Sequence, residues 1–217
     1  KNIFHLHILS DHCLKNIFPG TPHERNIHKA NSYFNYLRKG KNNKKKIKYI
    51  TLIREPISRD ISGFFQNYRL SDLKIDKNNI DSIRKTISNS GHELSSTWFD
   101  SDFLPYTNFD VFKTEFNKNK GYQIYKINDN EEVLIILTNR LSEVFEDAIF
   151  QFLNLKIDKL INFNVSSDKK DAKVIQNLKD NYYEDNNLID EVYSSKFIYH
   201  FFYDHEIKSF KNKWKKI

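Results

Sequence analysis

Tyr49-Ile50-Thr51-Leu52-Ile53-Arg54-Glu55-Pro56-Ile57-Ser58-Arg59-Asp60-Ile61-Ser62-Gly63-Phe64-Phe65 decides how this chain folds. Ile47 to Ile53 is short, apolar and β-branched, which is the composition of a strand in a parallel sheet. Beyond it, Ile57, Ile61, Phe64, Phe65 and Tyr68 recur at helical spacing. A strand, a tight turn at Arg54 and a helix starting near Pro56 are therefore expected, since proline lacks an N–H and suits a first helical turn. At such a junction the helix N-terminus presents free backbone N–H groups and partial positive charge, and an arginine leaving the strand end offers a planar fork for phosphate oxygens. Ser62, eight residues after Arg54, falls in the second turn and can add a hydroxyl donor. The spacing points to a phosphate site on Arg54 and Ser62. The plainer alternative has Arg54 capping the strand and pairing with Glu55 or Asp60, with Ser62 a small helix-packing residue.

Upstream, Ile3-Phe4-His5-Leu6-His7-Ile8-Leu9 reads as another strand. Alternation along a strand puts His5 and His7 on one face and Phe4, Leu6 and Ile8 on the other. A neutral imidazole takes a proton near pH 7, so such a face can activate a sugar hydroxyl; either histidine can equally be a satisfied core or edge residue. No cysteine or carboxylate is placed in sequence to complete a metal pair, and no metal is expected. Asp11 to Asn31 reads as a loop leading to a helix around Ala30 to Arg38, and Lys39 to Lys48, with six lysines, reads as a solvated loop.

Downstream, Leu70 to His92 is a charged, partly helical insertion, and Trp98-Phe99-Asp100 with Phe103, Leu104 and Tyr106 is an aromatic cluster that could pack a core or face a glycan. Tyr122 to Lys126 and Val133 to Leu137 read as strands around an Asn128-Asp129-Asn130 turn, with Gly121 turning the chain before the first. Leu141, Val144, Phe145, Ala148, Ile149, Phe152 and Leu153 mark an amphipathic helix. Asn164 to Lys170 is a polar loop, and Ile189 to Trp214 forms one or two helices docked on the core. Strands alternating with helices imply an α/β layered fold with a mostly parallel sheet.

With 217 residues, 39% of them hydrophobic and 15% aromatic, the chain can bury one substantial core, and one domain is the simplest count. A formal charge of +7 suits an anionic partner, although the lysines are spread along the whole chain. The lysine-rich stretch lacks the interleaved aromatics of a nucleic-acid surface, so no nucleic acid is expected. Cys13 is the only cysteine and cannot form an internal disulfide. No apolar run of membrane-spanning length and no signal peptide is present, which favours a cytoplasmic setting. The chain starts at Lys1 inside a strand pattern and contains no methionine, and sequence upstream of it is expected.

Arg54-Glu55-Pro56, then Arg59, then Ser62 and Phe64, resembles the 3′-phosphate-binding motif of sulfotransferases that use 3′-phosphoadenosine 5′-phosphosulfate (PAPS). The resemblance implies that Arg54 and Ser62 grip the 3′-phosphate of a PAPS co-substrate. His-x-His on the preceding strand is similar to heparan sulfate 2-O-sulfotransferases and related polysaccharide sulfotransferases, which implies His7 as catalytic base and His5 as its helper. The basic loop that covers the cofactor phosphates in sulfotransferases would correspond to the loop carrying Lys169. The order of these pieces, ending in Phe201-Phe202-Tyr203-Asp204-His205-Glu206-Ile207 and Asn212-Lys213-Trp214, also resembles a bacterial family named for capsular polysaccharide synthesis. The implied fold is a single three-layer, sulfotransferase-like (P-loop NTPase-like) domain over residues 1–217, a mostly parallel sheet flanked by helices.

One departure stands out. The lysine-containing loop that binds the 5′-phosphosulfate in sulfotransferases is not visible, nor is the first strand, and the domain is expected to lack that N-terminal strand-loop-helix. The implied function is transfer of a sulfuryl group from PAPS to a carbohydrate hydroxyl in surface polysaccharide synthesis. Two other classes fit part of the pattern: a non-catalytic nucleotide- or polyanion-binding relative, and a P-loop phosphotransferase. The latter calls for a Gly-Lys-Ser/Thr loop and a magnesium-binding aspartate, neither of which the sequence contains. Monomer and dimer are both compatible with the sequence.

Overall fold

The computed structural model describes residues 9–10, 22–39, 46–67, 80–89, 93–157 and 172–215. The strands are β1 (Ile47–Ile53), β2 (Tyr122–Lys126) and β3 (Glu131–Leu137). The helices are α1 (Pro22–Lys39), α2 (Pro56–Asn67), α3 (Ile80–Asn89), α4 (Glu93–Trp98), α5 (Leu104–Thr107), α6 (Leu141–Leu153), α7 (Ala172–Asn181), α8 (Asn186–Val192), α9 (Lys196–Phe201) and α10 (Asp204–Trp214). The result is an α/β architecture in which the strands form one sheet in the order β1-β3-β2.

That sheet is mixed, which corrects the expectation of a mostly parallel one. β1 runs alongside β3: Ile47 N donates to Asn130 O at 2.8 Å at one end, and the Thr138 hydroxyl donates to Ile53 O at 2.7 Å at the other. β2 and β3 instead form a hairpin, with Ile127 N and Asn128 N donating to Glu131 O. The Asn128 side chain accepts from Asn130 N at 2.9 Å and so closes the turn on itself. A connection this short returns the chain antiparallel, because a parallel return needs a crossover of about a dozen residues or more. β3 lies in the middle of the sheet and is buried from Val133 through Leu137, as an unbroken apolar strand should be.

The chain divides into two compact units, each assembled from separated segments. The first contains Lys1–Thr51, Thr97–Glu115 and Gln123–Ile135. In it, Phe34 of α1 lies edge-on to Tyr49 at 6.2 Å and stacked on Tyr106, and Tyr49 meets Phe103 at 6.0 Å. Helix α1 starts at Pro22, earlier than expected, because that proline occupies the first turn instead of breaking a loop. Between α4 and α5 the helix widens into a π-turn, Phe99–Phe103. The buried Asp102 on that turn accepts from Leu9 N at 2.8 Å, Ser10 N at 2.7 Å and Trp98 Nε1 at 3.0 Å. The aromatic cluster around Trp98 is therefore core, with Phe99 and Phe103 buried and the aspartate committed to holding backbone.

The second unit contains Leu52–Ser96, Phe116–Tyr122 and Ile136–Ile217. α2 buries Ile57, Ile61 and Phe64, one helical stripe, and α3 buries Ile83 and Ile87. The C-terminal region folds into three helices, α8 to α10, where one or two were expected. Tyr193, Phe197, Phe201, Phe202, Ile207 and Trp214 supply its buried side chains. Glu206 accepts from Tyr203 N at 2.9 Å and closes a capping box at the start of α10.

Candidate functional site

β1 ends at Ile53 and α2 begins at Pro56, so Arg54 and Glu55 alone make the turn between them. Ile53 is anchored from the sheet side by Thr138, and Pro56 sits in the first helical turn as the sequence implies.

The helix N-terminus is not free, which corrects one premise of the phosphate reading. Glu55 precedes the first turn, and its carboxylate accepts from Ile57 N and Ser58 N, each at 2.9 Å. Backbone amides that would otherwise face a ligand are thus taken up by the chain itself, as a helix cap does. Glu55 is 7% exposed and takes two further donors on Oε1: Trp214 Nε1 at 3.2 Å and the Tyr193 hydroxyl through a short hydrogen bond. Every donor to this carboxylate is neutral.

Arg54 is left as a cation in search of a partner. It makes no hydrogen bond or ion pair with any described residue. Neither carboxylate of the plainer alternative is paired with it: Glu55 is held by the four donors just named, and Asp60 binds Arg59 at 2.8 Å. Burial holds the Arg54 guanidinium below its ordinary pKa, with the nearby Glu55 charge pulling the other way. Arginine remains charged under any ordinary condition, so this environment leaves a part-buried positive fork with no ion pair among the described residues.

Ser62 is half-buried on α2, four residues beyond Ser58 on the same flank and beside the buried Ile57-Ile61-Phe64 stripe. Its hydroxyl bonds no described residue, whereas Thr86 and Ser101 in other helices bond back to the carbonyl four residues earlier. Arg54 and Ser62 thus lie on one strand-turn-helix unit, each with unused donor capacity, and side chains rather than helix amides are what this turn can offer an anion. His5, His7 and Lys169 lie outside the described residues. Among the described residues no group of three or more histidine, cysteine, aspartate or glutamate side chains could hold a metal ion, and no helix is long and apolar enough to cross a membrane.

Three residues belong to the site that sequence reading did not assign to it: Glu55, Tyr193 and Trp214. For Glu55 a signal existed, because an acidic residue directly before a first-turn proline can cap the helix. For Tyr193 and Trp214 there was none beyond their apolar patterning.

Residues 72–203 match the family described as "Putative capsular polysaccharide synthesis protein". That stretch contains Tyr193 and begins beyond Arg54, Glu55 and Ser62. No curated protein and no solved structure matches the chain. The family match covers more than half of the 217 residues, and the chain belongs to this capsular polysaccharide synthesis family.

Proposed function

We propose that this protein is a sulfotransferase that moves a sulfuryl group from PAPS to a hydroxyl of a carbohydrate acceptor, in the cytoplasm, during synthesis of a capsular or other surface polysaccharide. The observation that carries this reading is the part-buried guanidinium of Arg54 at the β1–α2 turn, which pairs with no described residue. A charge partly withdrawn from bulk water and paired with no described carboxylate is costly unless a ligand completes it, and such groups concentrate at binding sites. The Arg54-to-Ser62 spacing matches a 3′-phosphate grip, and membership of a polysaccharide synthesis family fits a sugar acceptor.

In this mechanism Arg54 and Ser62 hold the nucleotide's 3′-phosphate, with Lys169 as a further contact, and so fix where the sulfuryl group sits. His7, aided by His5, takes the proton of the acceptor hydroxyl as its oxygen attacks sulfur in line. The new S–O bond forms as the bond from sulfur to the bridging phosphate oxygen breaks, and 3′-phosphoadenosine 5′-phosphate leaves with that electron pair. A positioned base of this kind contributes about 10²–10⁴-fold in rate.

Calorimetric titration with 3′-phosphoadenosine 5′-phosphate tests the phosphate assignment. Wild type should bind, and Arg54→Ala should bind at least about tenfold more weakly, since a hydrogen bond to a charged group is worth about 1.5–3 kcal/mol. Unchanged affinity in Arg54→Ala would remove the assignment. His7→Ala should lose most turnover while keeping nucleotide affinity, and normal turnover would take His7 out of the mechanism.

A further inference from the structure

Glu55 and Arg54 are opposite charges at adjacent positions in one turn, yet they form no ion pair. In a part-buried setting an arginine and a carboxylate within reach pair readily, because their hydrogen bonds are charge-assisted and the fork matches both oxygens. The orientation of the Glu55 carboxylate is set by four neutral donors: Ile57 N, the Tyr193 hydroxyl and Trp214 Nε1 converge on Oε1, and Ser58 N bonds Oε2. Two of these are local amides. The other two come from distant parts of the chain, Tyr193 just after α8 and Trp214 at the end of α10.

We infer that Tyr193 and Trp214 are positioning residues that hold the Glu55 carboxylate away from Arg54 and so keep the guanidinium available to an anionic ligand. Both donors are themselves fixed. Tyr193 is fully buried, and burial together with the Glu55 charge raises its phenol well above the ordinary tyrosine range. Trp214 is 1% exposed, lies edge-on to Tyr182 with ring centroids 5.6 Å apart, and accepts from Glu184 N through its carbonyl at 2.9 Å. In the proposed PAPS site the ligand group is the 3′-phosphate, a phosphate monoester, which among the described residues would meet the Arg54 guanidinium and the Ser62 hydroxyl. The inference deepens the proposed PAPS site and rests on that reading for the identity of the ligand, though not for the behaviour of Arg54 itself.

Two measurements separate the inference from the nucleotide assignment. Side-chain nitrogen NMR reads Arg54 without ligand: its guanidinium should rotate freely in wild type and become hindered in Tyr193→Phe, where Glu55 loses a donor that fixes its orientation and turns to it. Identical rotation in the two proteins overturns the inference, whatever the nucleotide does. Titration with 3′-phosphoadenosine 5′-phosphate then reads the consequence. Tyr193→Phe should bind about tenfold more weakly, and Glu55→Gln combined with Tyr193→Phe should return to within about twofold of wild type, because glutamine has no charge to capture the arginine. A double variant as weak as Tyr193→Phe alone indicates a merely structural role and overturns the inference. If Tyr193→Phe does not fold, Trp214→Phe, which removes the longer of the two bonds, takes its place in both experiments: a hindered Arg54 supports the inference and a freely rotating one overturns it. Wild type that fails to bind the nucleotide ends the PAPS reading alone, and the NMR comparison still decides whether Tyr193 and Trp214 hold Glu55 off the arginine.

Discussion

A half-buried arginine that pairs with no described carboxylate is a cost to the folded state, because desolvation penalises the charge and the nearby Glu55 charge offsets only part of that penalty. If Arg54 is kept for a ligand, removing it should relieve that cost. Arg54→Leu should therefore unfold at the same temperature as wild type or a few degrees higher, while losing nucleotide binding; a large fall in melting temperature would show that the guanidinium braces the fold. Ser62 makes a parallel pair of predictions. Its hydroxyl bonds no described residue, and alanine is the better helix former by a few tenths of a kcal/mol, so Ser62→Ala should be neutral to slightly stabilising by urea denaturation. Nucleotide affinity in the same variant should fall about tenfold, the worth of one hydrogen bond to a charged group. Affinity equal to wild type would leave Ser62 as the small packing residue of the plainer reading. At this scale the sequence is informative about Arg54 and Ser62 and silent about what surrounds them. The donors that immobilise Glu55 stand 138 and 159 residues away along the chain, a separation over which neither spacing nor periodicity carries information.

Elements are more legible than their arrangement. β1, the turn and the start of α2 follow the expected bounds, as do β2 and α6, while β3 begins at Glu131, two residues before the expected Val133; in each case an apolar period and a turn residue agree. What periodicity lacks is direction. An apolar strand looks the same whether its neighbour runs with it or against it, and the expectation of a mostly parallel sheet fails on that point, although the tight Asn128-Asp129-Asn130 turn already implies an antiparallel return. The number of C-terminal helices is hidden for a related reason: one apolar stripe continues across short breaks at Ser194-Ser195 and Phe202-Tyr203. The glycine turn before β2 gives a direct test of an element boundary. Gly121 is buried with φ +72°, and its carbonyl accepts from Leu137 N at 2.9 Å. A Cβ there would stand 3.0 Å from Arg140 Cβ and 3.2 Å from its Cγ. Gly121→Ala should cost about 1–3 kcal/mol from the left-handed backbone, with the crowding in addition, measured as a shift in urea midpoint. A variant as stable as wild type would mean that this turn can relax into another conformation.

At the scale of the whole molecule, charge sets the contest between a nucleotide enzyme and a general polyanion binder. The formal charge is +7, from 35 basic against 28 acidic residues, and lysine is spread along the sequence instead of gathered at the Arg54 turn. Both readings predict binding to anions, but they differ in how many charges take part. A nucleotide phosphate held by Arg54 and Lys169 engages two cations and carries no condensed counterion atmosphere to release, so its affinity should fall only modestly, by screening, between about 50 and 200 mM salt. A polysaccharide or nucleic acid lying across the lysine-bearing surface would engage six or more cations and lose about a thousandfold or more over the same range. Measuring 3′-phosphoadenosine 5′-phosphate and heparin side by side at both salts separates the two. The nucleotide should show the shallow slope and lose its binding in Arg54→Ala, while any heparin binding should be steep and indifferent to that substitution. A nucleotide curve as steep as that for heparin, and equally indifferent to Arg54, would move the function of this family member from the turn between β1 and α2 to its lysine surface.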